Sequence, residues 1–148
     1  MTELLTASKV VSSAGVYSPG WVRVAEGVIT GVGKGAPADA TQNLGDAVLV
    51  PGFVDPHVHG GGGGGYSDGS TVAALAARDA HLARGTTTTM ASLVAASPSD
   101  LLEQVRSLTP LVLSGELRGI HLEGPWLNPE RKGAHDVAAL RTPDPREI

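Results

Sequence analysis

The sequence predicts an α/β protein. A set of short strands fills residues 1–50, and alternating strands and helices on a parallel sheet fill residues 51–148. Three observations predict it. The first 50 residues hold short apolar runs broken by turn-forming residues. From Val48 onward, strand-like apolar runs alternate with stretches of helical spacing, the pattern of βα units. The stretch PGFVDPHVHGGGGGG, from Pro51 to Gly65, ends one such strand in two histidines and six glycines.

In the first part, residues 4–11, 21–25 and 28–32 are rich in Val, Ile, Leu and Trp and read as strands. Glu26-Gly27 is placed as a hairpin turn between the last two. Residues 34–46 are dominated by Gly, Ala, Pro and Asp and read as a loop. Together these predict a small antiparallel sheet.

The first strand of the second part is predicted over residues 48–59. Alternation puts Asp55, His57 and His59 on one face and Val50, Val54 and Val58 on the other. A helix is predicted over residues 70–84, with Ser70 as N-cap and Gly85 just past its end. Its buried face is read as Val72, Leu75, Ala76, Leu82 and Ala83, with His81 on the surface. Residues 86–93 form the second strand, favoured by four β-branched threonines. Ser97-Pro98 opens a second helix, Asp100 favours its first turn, and Thr109-Pro110 is expected to end or kink it. Leu101, Leu102, Val105, Leu108 and Val112 recur at helical spacing and are read as core. Residues 117–123 form the third strand, with Ile120 and Leu122 toward helices and His121 and Glu123 on the opposite face. Gly124-Pro125 breaks it, residues 126–136 form a polar loop, and residues 142–148 are expected to start another helix.

Composition narrows the function. At 148 residues the chain can build one domain with a core, and 41% hydrophobic but only 3% aromatic residues make that core Ala, Val and Leu. A net charge of −4 with no basic cluster argues against nucleic acid as a partner. With no Cys there is neither a disulfide nor a thiolate zinc site, so a metal must use His and carboxylate ligands. The N-terminus lacks the pattern of a signal peptide and no window has the apolar length of a membrane span, so no membrane partner and a cytoplasmic location are expected.

His57 and His59 at i and i+2 suit a metal ion; the competing reading is a flexible glycine loop beside a structural strand. Glu123 ends the third strand. Active sites of parallel barrels lie at the carboxyl ends of their strands, where all three residues fall. Imidazole and carboxylate ligands suit a hydrolytic centre, in which the ion activates water and polarises a carbonyl.

PGFVDPHVHG followed by HLEGPWLNPERKGAHD resembles the N-acetylglucosamine-6-phosphate deacetylase family of the amidohydrolase superfamily. The His-x-His strand marks the superfamily broadly; HLEGP with Lys-Gly-Ala-His is more specific. The resemblance implies a (β/α)8 TIM barrel preceded by strands of a small β-sandwich domain. On that reading residues 1–50 supply the sandwich strands and residues 51–148 the first three to four β/α units of an incomplete barrel, since a whole one takes ~250 residues. It implies Glu123 as a metal ligand, His57 and His59 as a pair that helps hold a second metal in some members, and His135 as a substrate-binding loop residue. His121 and Asp55 are read as supporting side chains. The implied cofactor is a divalent metal, zinc first, with iron or another ion as alternatives. The implied substrate is an amino sugar phosphate, hydrolysed to glucosamine 6-phosphate and acetate, and the implied assembly is a homodimer. No general base is found in this chain; the family's aspartate is expected beyond Ile148. The chain is thus read as the N-terminal part of such an enzyme, inactive by itself. The alternatives are another amidohydrolase, of the dihydroorotase, hydantoinase or deaminase type, or a non-catalytic remnant.

Overall fold

The computed structural model describes residues 1–147, and the chain divides into two compact units, Met1–Pro51 and Gly52–Ile148. The first unit holds β1 (Thr2–Ala7), β2 (Lys9–Ser12), β3 (Gly15–Tyr17), β4 (Gly20–Ala25), β5 (Val28–Lys34), β6 (Gln42–Asn43) and β7 (Val48–Leu49). They form two sheets, of order β5-β4-β1-β6 and β3-β2-β7.

The run predicted as one strand over residues 4–11 is two, one in each sheet. The change falls at Ser8, whose N–H donates to the Gly45 carbonyl at 2.8 Å and whose hydroxyl donates to that of Ala47 at 3.0 Å. The Glu26-Gly27 hairpin forms as predicted. Ala25 pairs with Val28, and the two turn residues have φ of 50° and 76°, the hand that matches strand twist. The sheets are not wholly antiparallel, however. β6 runs parallel to β1 and β7 parallel to β2. The segment read as a loop returns alongside β1, where the Leu4 N–H donates to Thr41 Oγ1 at 2.8 Å and the Thr41 N–H to the Leu4 carbonyl at 2.9 Å. Ala7, Val10 and Val22 are the buried core, flanked by Val24, Val32, Leu44 and Leu49.

The second unit holds β8 (Phe53–Val58), a glycine hairpin β9 (Gly60–Gly61) and β10 (Gly64–Gly65), α1 (Thr71–Leu82), β11 (Thr86–Leu93), α2 (Pro98–Leu113) and β12 (Gly119–Leu122). β11 lies between β8 and β12, parallel to both. The architecture is mixed α/β, and among the described residues the sheet does not close into a barrel. The strand predicted over residues 48–59 is interrupted: β7 belongs to the first unit's sheet and β8 to the second's. Pro51 has no N–H to continue a ladder.

Ser70 caps α1, its Oγ accepting the Ala73 N–H at 3.4 Å. Of the predicted buried face only Leu75 packs against the core. Ala74 and Ala77 are buried and Leu75 packs beside them, whereas Val72 is 76% exposed and Leu82 46%. The reason is the partner. The glycine hairpin lies on the helix: a Cβ at Gly64 would fall 2.1 Å from the Ala73 carbonyl, and one at Gly62 would fall 2.7 Å from Ala80 Cβ. Backbone packed on alanine leaves no large apolar residues for a periodicity reading to find.

α2 begins at Pro98, with Ser97 Oγ accepting the Asp100 N–H at 3.2 Å. It does not end at Pro110 but runs to Leu113. An internal proline costs about 3 kcal/mol. Burying Leu108 and Leu111 on either side of it recovers about 1.5–3 kcal/mol each. Leu111 is buried although it was not read as core, and Leu102, read as core, is 50% exposed. The third strand is shorter than predicted because Leu117 leaves the ladder for the core, its N–H donating to the Leu111 carbonyl at 3.1 Å. Residues 126–136 are irregular apart from one short turn, Pro129–Arg131. The helix expected from residue 142 is a single tight turn at Pro145–Glu147, and Ile148 lies outside the described residues. No helix among the described residues is long and apolar enough to cross a membrane.

Tyr66 fills the centre of this core among Ala74, Ala77, Ala91, Leu93, Leu101, Leu108, Leu111 and Leu117. Its hydroxyl is buried with no hydrogen-bond partner among the described residues. Burial, then the nearby Asp55 charge, push its pKa up, while the Arg78 charge opposes them. Tyr66→Phe should therefore raise stability, by about 1 kcal/mol, since an unsatisfied buried hydroxyl costs about 1–3 kcal/mol. A urea midpoint that falls instead would show that the hydroxyl is bonded.

Candidate metal centre

β8 carries His57 near its end, with His59 just beyond it, and β12 is followed directly by Glu123. Because both strands pair in parallel with β11, their carboxyl ends lie at the same edge of the sheet. The Glu123 N–H donates to the Leu93 carbonyl at 2.8 Å, which extends the ladder by one residue and fixes where the carboxylate departs. Glu123 Oε2 lies 2.9 Å from Nε2 of both His57 and His59, and the two Nε2 atoms are 3.2 Å apart. The three side chains, half exposed at the imidazoles, form a compact triangle that could hold a metal ion.

The surroundings fit a cation. His59 Nδ1 sits 3.1 Å from the Ser92 carbonyl, an acceptor only, so Nδ1 carries the proton and Nε2 of the neutral ring presents a lone pair. That lone pair, His57 Nε2 and a carboxylate oxygen converge at spacings that ligands ~2.0–2.2 Å from one ion require. A proton on His57 Nε2 would bond to the carboxylate at this point, and a cation there would take that proton's place. Burial alone would raise the Glu123 pKa; hydrogen bonds and charge from His57 and His135 overcome it and hold the carboxyl below its ordinary value.

The other predicted residues also gather here. His135 is buried, with Nε2 3.4 Å from Glu123 Oε1. Asp55 Oδ1 accepts the His57 backbone N–H at 3.2 Å, which stiffens the turn into the site. The His121 ring stands 4.9 Å from that of His57, and its Nδ1 is 3.1 Å from Ser92 Oγ. Two residues escaped the sequence reading. Ser92, fully buried, serves His59 through its carbonyl and His121 through its hydroxyl. Its one sequence signal is a hydroxyl residue inside the apolar run Ala-Ser-Leu-Val. His81, read as a surface residue, holds the glycine hairpin: its Nε2 lies 3.0 Å from the Gly60 carbonyl.

No protein-family model matches the chain. Among curated proteins it is 36% identical to the N-acetylglucosamine-6-phosphate deacetylase of Bos taurus over 114 residues, covering 71% of this chain and 27% of that protein. It is 30% identical to that of Bacillus subtilis (strain 168) over 148 residues, covering 91% of this chain and 37% of that protein. Among solved structures it is similar to a mutant N-acetyl-D-glucosamine-6-phosphate deacetylase from Mycobacterium smegmatis in complex with N-acetyl-D-glucosamine-6-phosphate. The identity is 49% and the TM-score 0.95, over 99% of this chain and 39% of that one. The chain thus spans between about a quarter and two fifths of the length of these relatives.

Proposed function

We propose, from the similarity of the chain to N-acetylglucosamine-6-phosphate deacetylases, that the whole protein is a metal-dependent amide hydrolase. It removes the acetyl group of N-acetylglucosamine 6-phosphate and releases glucosamine 6-phosphate and acetate. The observation that carries this reading is that the two motifs behind the resemblance, 66 residues apart from His57 to Glu123, meet within 2.9 Å.

On this reading Glu123, His57 and His59 hold a divalent cation, zinc first, in one- or two-ion form. When bound, the ion supplies Lewis acidity and an activated water. The side chains of this chain do the rest of the local work. Glu123 contributes negative charge, the Ser92 carbonyl keeps His59 in the ligand tautomer, and Asp55 restrains the backbone at His57. His135 borders the place where the sugar binds. On this reading residues 51–148 supply the first three to four β/α units of a (β/α)8 TIM barrel and residues 1–50 supply strands of a small β-sandwich domain. The whole protein works in the cytoplasm as a homodimer, and the 148-residue chain alone is inert even with zinc.

Amide hydrolysis by the purified whole protein tests the reading. Acetate release from N-acetylglucosamine 6-phosphate and its C4 epimer would be compared with ring opening of dihydroorotate and hydantoin. A kcat/KM at least about 100-fold higher on the amino sugar phosphates is expected. Preference for a cyclic amide would replace the reading with a dihydroorotase or hydantoinase.

A further inference from the structure

His135 lies in the loop after β12 and is only 9% exposed, and its two ring nitrogens face different partners. The Ala95 backbone N–H donates to Nδ1 at 3.2 Å. A nitrogen that accepts there carries no proton, so the neutral ring is the tautomer protonated at Nε2. Nε2 faces Glu123 Oε1 at 3.4 Å. Glu123 Oε2 is the oxygen that meets His57 and His59. The carboxylate is thus divided between the imidazole pair on one oxygen and His135 on the other.

The loop is anchored around this ring. Lys132 Nζ donates to the His135 carbonyl at 3.0 Å, and Arg141 Nη1 donates to the Ala96 carbonyl at 3.0 Å, one residue from Ala95. The Arg141 N–H donates to the Pro125 carbonyl at 3.2 Å, closing the loop on itself. A buried ring held at one nitrogen by backbone is a rigid support for whatever its other nitrogen touches.

We propose that His135 is a positioning residue of the metal centre: its Nε2–H holds Glu123 Oε1 and so aims Oε2 between His57 and His59. This role differs from the sugar contact that the family resemblance implies, and it rests on the reading of the triangle as a cation site. Metal-ligating carboxylates are themselves hydrogen-bonded, and losing such a partner typically costs about 10–100-fold in metal affinity.

Two variants of the whole protein separate the roles. His135→Asn keeps an acceptor for the Ala95 N–H but is too short to reach Glu123. His135→Gln places a donor where Nε2 stands. Zinc affinity would be measured by competition with a chromophoric chelator, and ligand geometry by the visible spectrum of the cobalt form, neither of which requires turnover. The expected result is zinc binding about 10–100-fold weaker in His135→Asn with an altered cobalt spectrum, and near-native values in His135→Gln. Wild-type affinity and spectrum in His135→Asn, with only KM for the sugar phosphate raised, would overturn the proposal in favour of substrate contact. Equal losses in both variants would overturn it in favour of ring packing. If the unaltered protein binds no zinc or cobalt, the cation reading itself fails and takes this proposal with it.

Discussion

Glu123→Gln is expected to abolish metal binding and turnover in the whole protein. The substitution keeps the volume and the backbone ladder to Leu93 and removes only the charge. Oε2 is the shared vertex of the triangle, 2.9 Å from both imidazole nitrogens, so a neutral amide leaves the two lone pairs without their anionic partner. The loss in zinc affinity should exceed the roughly 10–100-fold cost of removing a supporting group, because on the proposed reading Glu123 is a direct ligand. Inductively coupled plasma analysis of the purified variant, with acetate release beside it, checks both parts. Retained metal and retained turnover together would sink the assignment of Glu123. The variant should also change the acid limb of stability. Glu123 is held below the ordinary glutamate range, so the stabilisation carried by its ionised form is complete above that range and fades as pH falls through the lowered value. Glutamine cannot titrate, and the metal-free variant should lose that part of the acid dependence.

Leu93→Ala is expected to destabilise the whole protein by about 2–5 kcal/mol. Leu93 is fully buried in the cluster around Tyr66, and its carbonyl receives the Glu123 N–H at 2.8 Å. Truncation leaves that backbone bond in place but opens a cavity under the carboxyl end of β11, where Ser92 holds His59. Urea unfolding in excess chelator measures the loss without the added stability of bound metal. Leu102→Ala is the control: at 50% exposed it should cost far less than Leu93→Ala. A cost below about 1 kcal/mol for Leu93→Ala would mean that its packing is not that of a core residue.

Much of the second unit was legible because its signals are local. The strand over residues 86–93 coincides with β11, and Ser70 and Ser97 cap α1 and α2 as predicted. A β-branched run and a hydroxyl before a helix act within a few residues, so order along the chain reveals them. The errors have the opposite character. Pro110 was expected to end or kink α2, and the helix does not end there because Leu108 and Leu111 bury on both sides. The face of α1 was misplaced because its neighbour is glycine backbone. The parallel pairing of β6 and β7 depends on where a loop returns, which no short-range pattern encodes.

The sequence by itself determined the ligand types: with no cysteine, only imidazole and carboxylate remain, and His-x-His and HLEGP place them at strand ends. It also determined the alternation of strands and helices that puts those ends at one edge. Only the tertiary structure decided that Glu123 closes on His57 and His59, and that His135 is buried with Nε2 3.4 Å from its other oxygen. It alone decided that Ser92 serves the site through its main chain. The physical reason is that hydrogen bonds and ligand distances are set through space. A carbonyl acceptor is the same atom in every residue, so its role leaves no mark in the order of side chains.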